Sequence, residues 1–460
     1  MTKKHITLAG LSAFIILLAA VYIAGGVRNR NRIIGGGPEE QAALPGMDYR
    51  TVVSLEAPLT GIRLEKKGEL WELVPPRAER LDQAEIGYQL MSLAGMRAER
   101  LVEEDPADLS IYGLDKPSGR IIMADAGGKR LELMGGNMTP SKTGYYVMAA
   151  GEAKVYAVPL YAAARLFLDL NGIRDKTLFG PFEPADFKRL ALESADFSFE
   201  IRPRAGEDSG EIPFNPFGSY IIRGAYRNPH AADAEKVAGI IESFRGLGIR
   251  RFVDPDPVSP EPYGLDRPLR VGFEAGEQTL DLLLGGEEDG ETYARRPGSP
   301  EVFTLAGLEA LRGIRAFELT DKFALLVNIE NVEALRVSGE GKTLSAEIRG
   351  AGDEAVYLFN GKQAEERSFK NWYQRVIGLL TDAELPARPA AAAPQQQPRG
   401  EEISIEYTLK ASPFRAGIGL IPYNRDFYAL DQGGAVEFLV SRSQVREIFD
   451  AAEVMVYAGS

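Results

Sequence analysis

Alternation of apolar and polar residues at Ile62 and Leu64, and again around Leu70, Trp71 and Leu73, predicts a β-hairpin. Asp82 then stands where a helix would be capped, and Ile86, Leu90 and Leu93 fall on one face of the helix it opens. Apolar runs at Ile121 to Met123, Leu131 to Met134, Tyr145 to Met148 and Val155 to Val158 predict strands, followed by a short helix from about Ala163 to Leu170. The same order returns further on. Strands are expected at Leu190 to Leu192, Phe197 to Ile201 and Tyr220 to Ile222, then a helix from about Ala231 to Leu247, four strands and a short helix near Leu308. Antiparallel hairpins separated by single helices read as an α+β fold, because a parallel sheet would need a helix after every strand.

The recurrence is literal at one place. Tyr112-Gly113-Leu114-Asp115-Lys116-Pro117 reappears as Tyr263-Gly264-Leu265-Asp266-Arg267-Pro268. Its flanks agree: Gly135-Gly136 with Gly285-Gly286, Tyr146 with Tyr293, and Asp175-Lys176 with Asp321-Lys322. This self-similarity predicts tandem homologous units, a first at 51–180 and a second at 181–328. A third, divergent unit is expected at 329–460: Val332, Leu335 and Val337 match the opening strand, and Ser368 reads as the cap of a helix carrying Trp372, Val376 and Leu379. Tyr428 and Phe438 fall at the spacing of Tyr146 and Tyr156. Where its turn motif should lie, residues 386–400 hold Pro, Ala and Gln in a composition that cannot bury enough apolar surface to order itself, so a disordered loop is expected there.

Ahead of the units, Ile6 to Ala24 carries no charge. As a helix it would span roughly 28 Å, about the hydrocarbon thickness of a bilayer. Residues 1–32 therefore read as an N-terminal membrane anchor with its flanks, with a cleavable signal peptide as the alternative since Ala24, Gly25 and Gly26 are small. Arg28, Arg30 and Arg32 follow the run and Lys3 and Lys4 precede it, so charge alone leaves the orientation open. Residues 33–50, with Gly35, Gly36, Gly37, Pro38 and Pro45, read as a flexible stalk.

Composition narrows the chemistry. The 460-residue chain has 53 Lys and Arg against 66 Asp and Glu, a net charge of −13, and lacks a long basic run, which argues against a nucleic-acid partner. Absence of cysteine excludes disulfides, thiolate metal sites and a Cys nucleophile. Two histidines, His5 and His230, starve most acid–base and zinc mechanisms, and neither shows a partner constellation in the sequence. No catalytic residue, cofactor or metal ligand is assigned.

The motif residues have mechanical readings. Gly113 and Gly264 suit a positive φ, Leu114 and Leu265 can plug an apolar pocket, Asp115 and Asp266 can bond nearby amides, and Pro117 and Pro268 start a strand where no donor is needed. The pairs Asp175-Lys176 and Asp321-Lys322 read as junction ion pairs. Gly136 to Thr143 nearly spells a phosphate loop, but Ser141 replaces a glycine, Pro140 removes a donor and a strand follows instead of a helix. It reads as a strand connection. The acids Glu287, Glu288, Asp289 and Glu291 lack the alternating ligands of a calcium loop and read as a solvated turn.

The repeated Tyr-Gly-Leu-Asp-x-Pro, the Gly-Gly after a strand, the following Tyr, the later Asp-Lys and the single N-terminal span resemble the bacterial domain-of-unknown-function family 4340 over nearly all of residues 60 to 326. The resemblance implies an extracytoplasmic protein held in the cell inner membrane through residues 6–24, with its soluble part periplasmic. It also implies encoding beside an ABC-type transporter of gliding-motility-like or exporter character, with integral-membrane transporter subunits as partners. It implies no catalytic residues. The expected function is thus a non-enzymatic interaction protein, an accessory subunit of a transporter or envelope complex. The alternatives are a binding module for an envelope glycan or peptide and, behind it, an envelope hydrolase.

Overall fold

The computed structural model describes residues 44–75, 79–205, 217–386, 401–410 and 415–459. The expected anchor at 1–32, the stalk up to residue 43 and loop residues 387–400 lie outside them. Among the described residues no helix is long and apolar enough to cross a membrane. The chain divides into two compact units at Asp175/Lys176.

The first unit holds one eight-stranded sheet. Its strands are β1 (Val52–Ala57), β2 (Ile62–Lys67), β3 (Leu70–Leu73), β4 (Arg100–Glu104), β5 (Gly119–Asp125), β6 (Arg130–Met138), β7 (Gly144–Ala149) and β8 (Lys154–Pro159). They lie in the order β3-β2-β1-β5-β6-β7-β8-β4, and every neighbour pair is antiparallel. Between β3 and β4 runs helix α1 (Gln83–Ala94), capped by Asp82, whose carboxylate accepts from the Glu85 amide at 3.0 Å. A helix there is what lets the chain leave one edge of the sheet and return at the other. Ile86, Leu90 and Leu93 of α1 are buried against Leu55, Leu64, Ile121, Met123, Leu131, Leu133, Val147 and Val158. The expected helix from Ala163 to Leu170 is broken: α2 (Leu160–Ala163), a single 3₁₀ turn at Ala164–Leu166, and α3 (Leu170–Ile173).

The second unit holds two nine-stranded sheets built the same way. The second sheet comprises β9 (Phe187–Glu193), β10 (Ser198–Pro203), β11 (Tyr220–Arg223), β12 (His230–Ala232), β13 (Ile249–Asp254), β14 (Leu269–Ala275), β15 (Gln278–Glu288), β16 (Glu291–Arg295) and β17 (Val302–Leu305). Its order is β12-β11-β10-β9-β14-β15-β16-β17-β13. Helix α4 (Ala234–Ser243) precedes β13, and α5 (Ala316–Leu319) follows β17. The expected helix start at Ala231 is corrected here. His230, Ala231 and Ala232 extend as β12 along β11, and Asp233 caps the helix by accepting from the amides of Glu235 and Lys236. Phe244 stacks on Phe273 at 4.0 Å, and Phe179, Phe182 and Phe187 surround that pair.

The third sheet comprises β18 (Val332–Gly339), β19 (Lys342–Arg349), β20 (Val356–Phe359), β21 (Lys362–Gln363), β22 (Ala383–Glu384), β23 (Ile403–Leu409), β24 (Arg415–Pro422), β25 (Phe427–Gln432) and β26 (Ala435–Ser441), in the order β21-β20-β19-β18-β23-β24-β25-β26-β22. Helix α6 (Glu366–Ile377) precedes β22 and α7 (Arg442–Glu453) follows β26. Trp372 and Val376 are buried on α6, as is Leu379 just past its end. Ser368 is not its cap. Glu365 holds that position, and Ser368 lies inside the helix, accepting from the Val456 amide at 3.0 Å.

One backbone closure recurs in all three sheets. The amide of Asp82 donates to the Ile173 carbonyl at 2.9 Å, Asp233 to Leu319 at 2.8 Å, and Glu365 to Val456 at 2.9 Å. Each ties the start of the long helix to the end of the last helical segment, so the third sheet shares the frame although its sequence has diverged.

Candidate functional site

The two turn motifs adopt one geometry. Tyr112 ends a 3₁₀ turn at Leu109–Tyr112 and Tyr263 ends one at Glu261–Tyr263; Gly113 and Gly264 follow at φ 67° and 64°. A left-handed residue is needed there for the chain to reverse, and only glycine takes it without strain. Leu114 and Leu265 are buried, 3% and 2% exposed. Leu114 joins Met148 and Val155 on the sheet face opposite α1. The Gly-Gly pairs exist because the turn lies on them: a Cβ at Gly136 would collide with the Tyr112 carbonyl, and one at Gly285 with that of Tyr263. Pro117 precedes β5 and Pro268 adjoins β14. The carboxylates of Asp115 and Asp266 are exposed, and among the described residues neither accepts a hydrogen bond, contrary to their expected role.

Both tyrosines anchor to the edge strand nine residues earlier. Tyr112 donates to Glu103, and Tyr263 donates to Asp254 at 3.0 Å. The carboxylate acceptor is the main cause that raises each phenol above its usual range. Tyr146 packs edge-on against Tyr112 at 4.9 Å, and Tyr293 against Tyr263 at 5.2 Å. These clusters hold the edge strand to the turn.

The junction residues lie in hydrogen-bonded seams. Asp175 pairs with Arg80 at 2.7 Å, and the Lys176 carbonyl accepts from the Ile249 amide at 2.7 Å. Asp321 accepts from the Phe323 amide at 3.0 Å, and the Lys322 carbonyl accepts from the Thr381 amide at 2.8 Å. The Lys322 ammonium turns to the Phe317 carbonyl and to Thr320 Oγ1 at 3.0 Å. Burial, then the nearby Lys236 charge, bring it down to about 8 against the pull of Glu384, Asp233 and Glu318.

Around Lys322 the second and third sheets meet in a polar and aromatic cluster that sequence reasoning missed. Tyr226 donates to Glu384 at 2.5 Å, the Arg227 amide donates to Glu437, and His230 Nε2 lies 3.3 Å from the same Glu437 carboxylate. The rings of Tyr226, His230 and Phe438 meet edge to face at 4.9 to 5.0 Å. Burial alone would raise the Glu437 carboxyl; the bonds from His230 and the Arg227 amide, with the electrostatic pull of those two residues, bring it below its usual range. Burial, reinforced by Glu384, pushes the Tyr226 phenol up. His230 thus has a partner set after all. Tyr226 lies four positions before it, but Glu437 lies 207 positions away in the chain, and the available signal was only that a histidine is rare here.

The near phosphate loop is the β6–β7 hairpin, closed by the hydroxyls of Thr139, Ser141 and Thr143 in a row and by the Gly144 amide donating to Thr139 Oγ1 at 3.2 Å. In the acidic hairpin, Glu288 accepts from Tyr293, and Glu291 accepts from Arg251 at 3.1 Å and from Thr304 at 2.6 Å. An open groove of about 580 Å³ lies on the third sheet, lined by Glu333, Glu347, Arg349, Thr408 and Lys410 among others.

Fold and clusters define a class: tandem α+β repeats, each a single antiparallel sheet with a helix leading into its far edge strand. The family model described as domain of unknown function (DUF4340) matches the chain twice, over residues 71–268 and 225–385, and the chain belongs to that family. The first match begins in β3 and ends at Pro268 of the second turn motif; the second begins just after β11 and ends just after β22. No curated protein and no solved structure matches the chain.

Proposed function

We propose that this chain is a membrane-anchored extracytoplasmic interaction protein, an accessory subunit of an ABC-type transporter or envelope complex, with residues 6–24 as its anchor and no reaction of its own. The observation that carries the reading is the repetition of one frame in three sheets, with the side chains that recur in the first two engaged with the frame itself: Tyr112 with Glu103, Tyr263 with Asp254, Leu114 and Leu265 buried. Repeats of this kind present extended surfaces, which suit docking on a neighbour better than turnover of a small substrate. Purification of the full chain in mild detergent after crosslinking should recover integral-membrane transporter subunits. Recovery of the chain alone, under conditions that capture other envelope complexes, would sink the proposal. The second reading, a glycan or peptide binding module, is favoured by the polar groove on the third sheet, and loss of ligand binding in Arg349→Ala would be its mark.

A further inference from the structure

The β6–β7 end of the first sheet exposes more apolar surface than its counterparts. Tyr161 is 81% exposed, Leu160 44% and Met138 41%. Backbone pairing brings them to one end of the sheet: Met138 opposes Tyr145, Gly144 opposes Pro159, and the Leu160 amide donates to the Thr143 carbonyl at 2.9 Å. Lys142 stands exposed at the hairpin tip, with φ 59°. In the second sheet the corresponding tip holds Glu288 and Asp289, and Ala306 and Gly307 follow the last strand. In the third the tip holds Asn424, Arg425 and Asp426, with Ile421 36% exposed at the hairpin base, and the last strand runs into Arg442, Ser443 and Gln444. Since the frame is shared, it does not demand apolar residues here, and an exposed apolar group of this kind marks a contact.

Chain order points to the occupant. The uncharged run 6–24 precedes this sheet, and residues 25–43 alone separate it from Leu44, which is buried in the first core. A segment of that length reaches at most roughly 65 Å in any conformation. Along the chain the first sheet is therefore the one held nearest to the run. A tyrosine with aliphatic neighbours and a lysine suits the membrane–water interface, the apolar groups entering the headgroup boundary and the ammonium meeting phosphates. Glu288 and Asp289 would be repelled from the same anionic surface.

We propose that the first sheet rests on the bilayer surface through Met138, Leu160 and Tyr161 with Lys142 at their side, a contact that rests on the anchored reading above. Because the chain has no cysteine, full-length Tyr161→Cys and Val258→Cys variants each accept one polarity-sensitive dye; Val258 is fully exposed in the second unit. In nanodiscs of phosphatidylethanolamine and phosphatidylglycerol, the dye at position 161 should shift to the blue and lose most of its emission to a lipid-borne quencher. The dye at 258 should do neither. Leu160→Ser with Met138→Ser should abolish the shift at 161 with the far-ultraviolet dichroism unchanged. Incorporation into discs with both dyes in water overturns the contact and leaves the anchor standing, and burial of both dyes overturns its assignment to this surface. A chain that fails to enter discs overturns the anchored reading and this proposal with it.

Discussion

At the scale of single residues, conformation and burial decide the outcome. Gly264 sits at φ 64° with the Gly286 amide 2.7 Å from where its Cβ would lie, so Gly264→Val meets both backbone strain and backbone contact. It should cost about 1–3 kcal/mol in urea unfolding. A value near zero would show that the turn does not need a left-handed residue. Lys322 carries a prediction of opposite sign. Its amine is held at about 8, below the ordinary lysine value of 10.5. Between those values the unfolded chain holds a proton that the folded chain has released, so stability rises with pH across that window, while below it the folded state bears the full penalty of a half-buried charge. Lys322→Met should stabilise the protein at pH 7 and flatten the alkaline rise. Thermal melts of both forms from pH 7 to 10 check this, and parallel curves would refute it.

At the scale of elements, the seam where Tyr226 and His230 meet β22 and β26 joins the second sheet to the third. Glu437 accepts from both the Arg227 amide and His230 there, with 18% of its side chain exposed. Glu437→Gln keeps the shape and removes the charge; it should cost about 1–3 kcal/mol and speed amide exchange over residues 224–230. The carboxyl is lowered in the folded state, so its contribution is present above the ordinary carboxylate range and disappears as pH falls through the lowered value. The variant should therefore lose part of the wild-type acid sensitivity. Unchanged exchange in that loop would mean the seam is held by the rings of Tyr226, Phe317 and Phe438 alone.

At the scale of the whole molecule, the anchored reading predicts a topology. Alkaline phosphatase fused after Ser460 should be active in a Gram-negative host, and an inactive phosphatase paired with a fluorescent cytoplasmic reporter at the same site would overturn it. On the anchored reading residues 6–24 hold the chain in the bilayer by themselves, so Lys142→Ala, which weakens only the proposed surface contact of the first sheet, should leave recovery of transporter subunits intact. Charge reversals across a partner-facing patch should abolish recovery, with the melting temperature unchanged.

What the sequence by itself determined was local or repeated. Alternation placed β2, β3 and the four strands from β5 to β8, Asp82 and the spacing of Ile86, Leu90 and Leu93 marked α1, and the doubled Tyr-Gly-Leu-Asp-x-Pro announced a shared frame. Such features depend on contacts within a few residues, or on the same packing problem solved twice. The edge strands β4, β13 and β22 escaped notice because they are short and half exposed and make their ladder with strands some 50 positions away. Only the tertiary structure decided that His230 continues a strand instead of leading into a helix, since its partner Ile222 fixes it from across a turn. Only the tertiary structure joined Tyr226 to Glu384 and His230 to Glu437. A pair that far apart leaves no periodicity in one sequence, and the field that shifts Lys322 and Glu437 comes from groups that folding alone brings together.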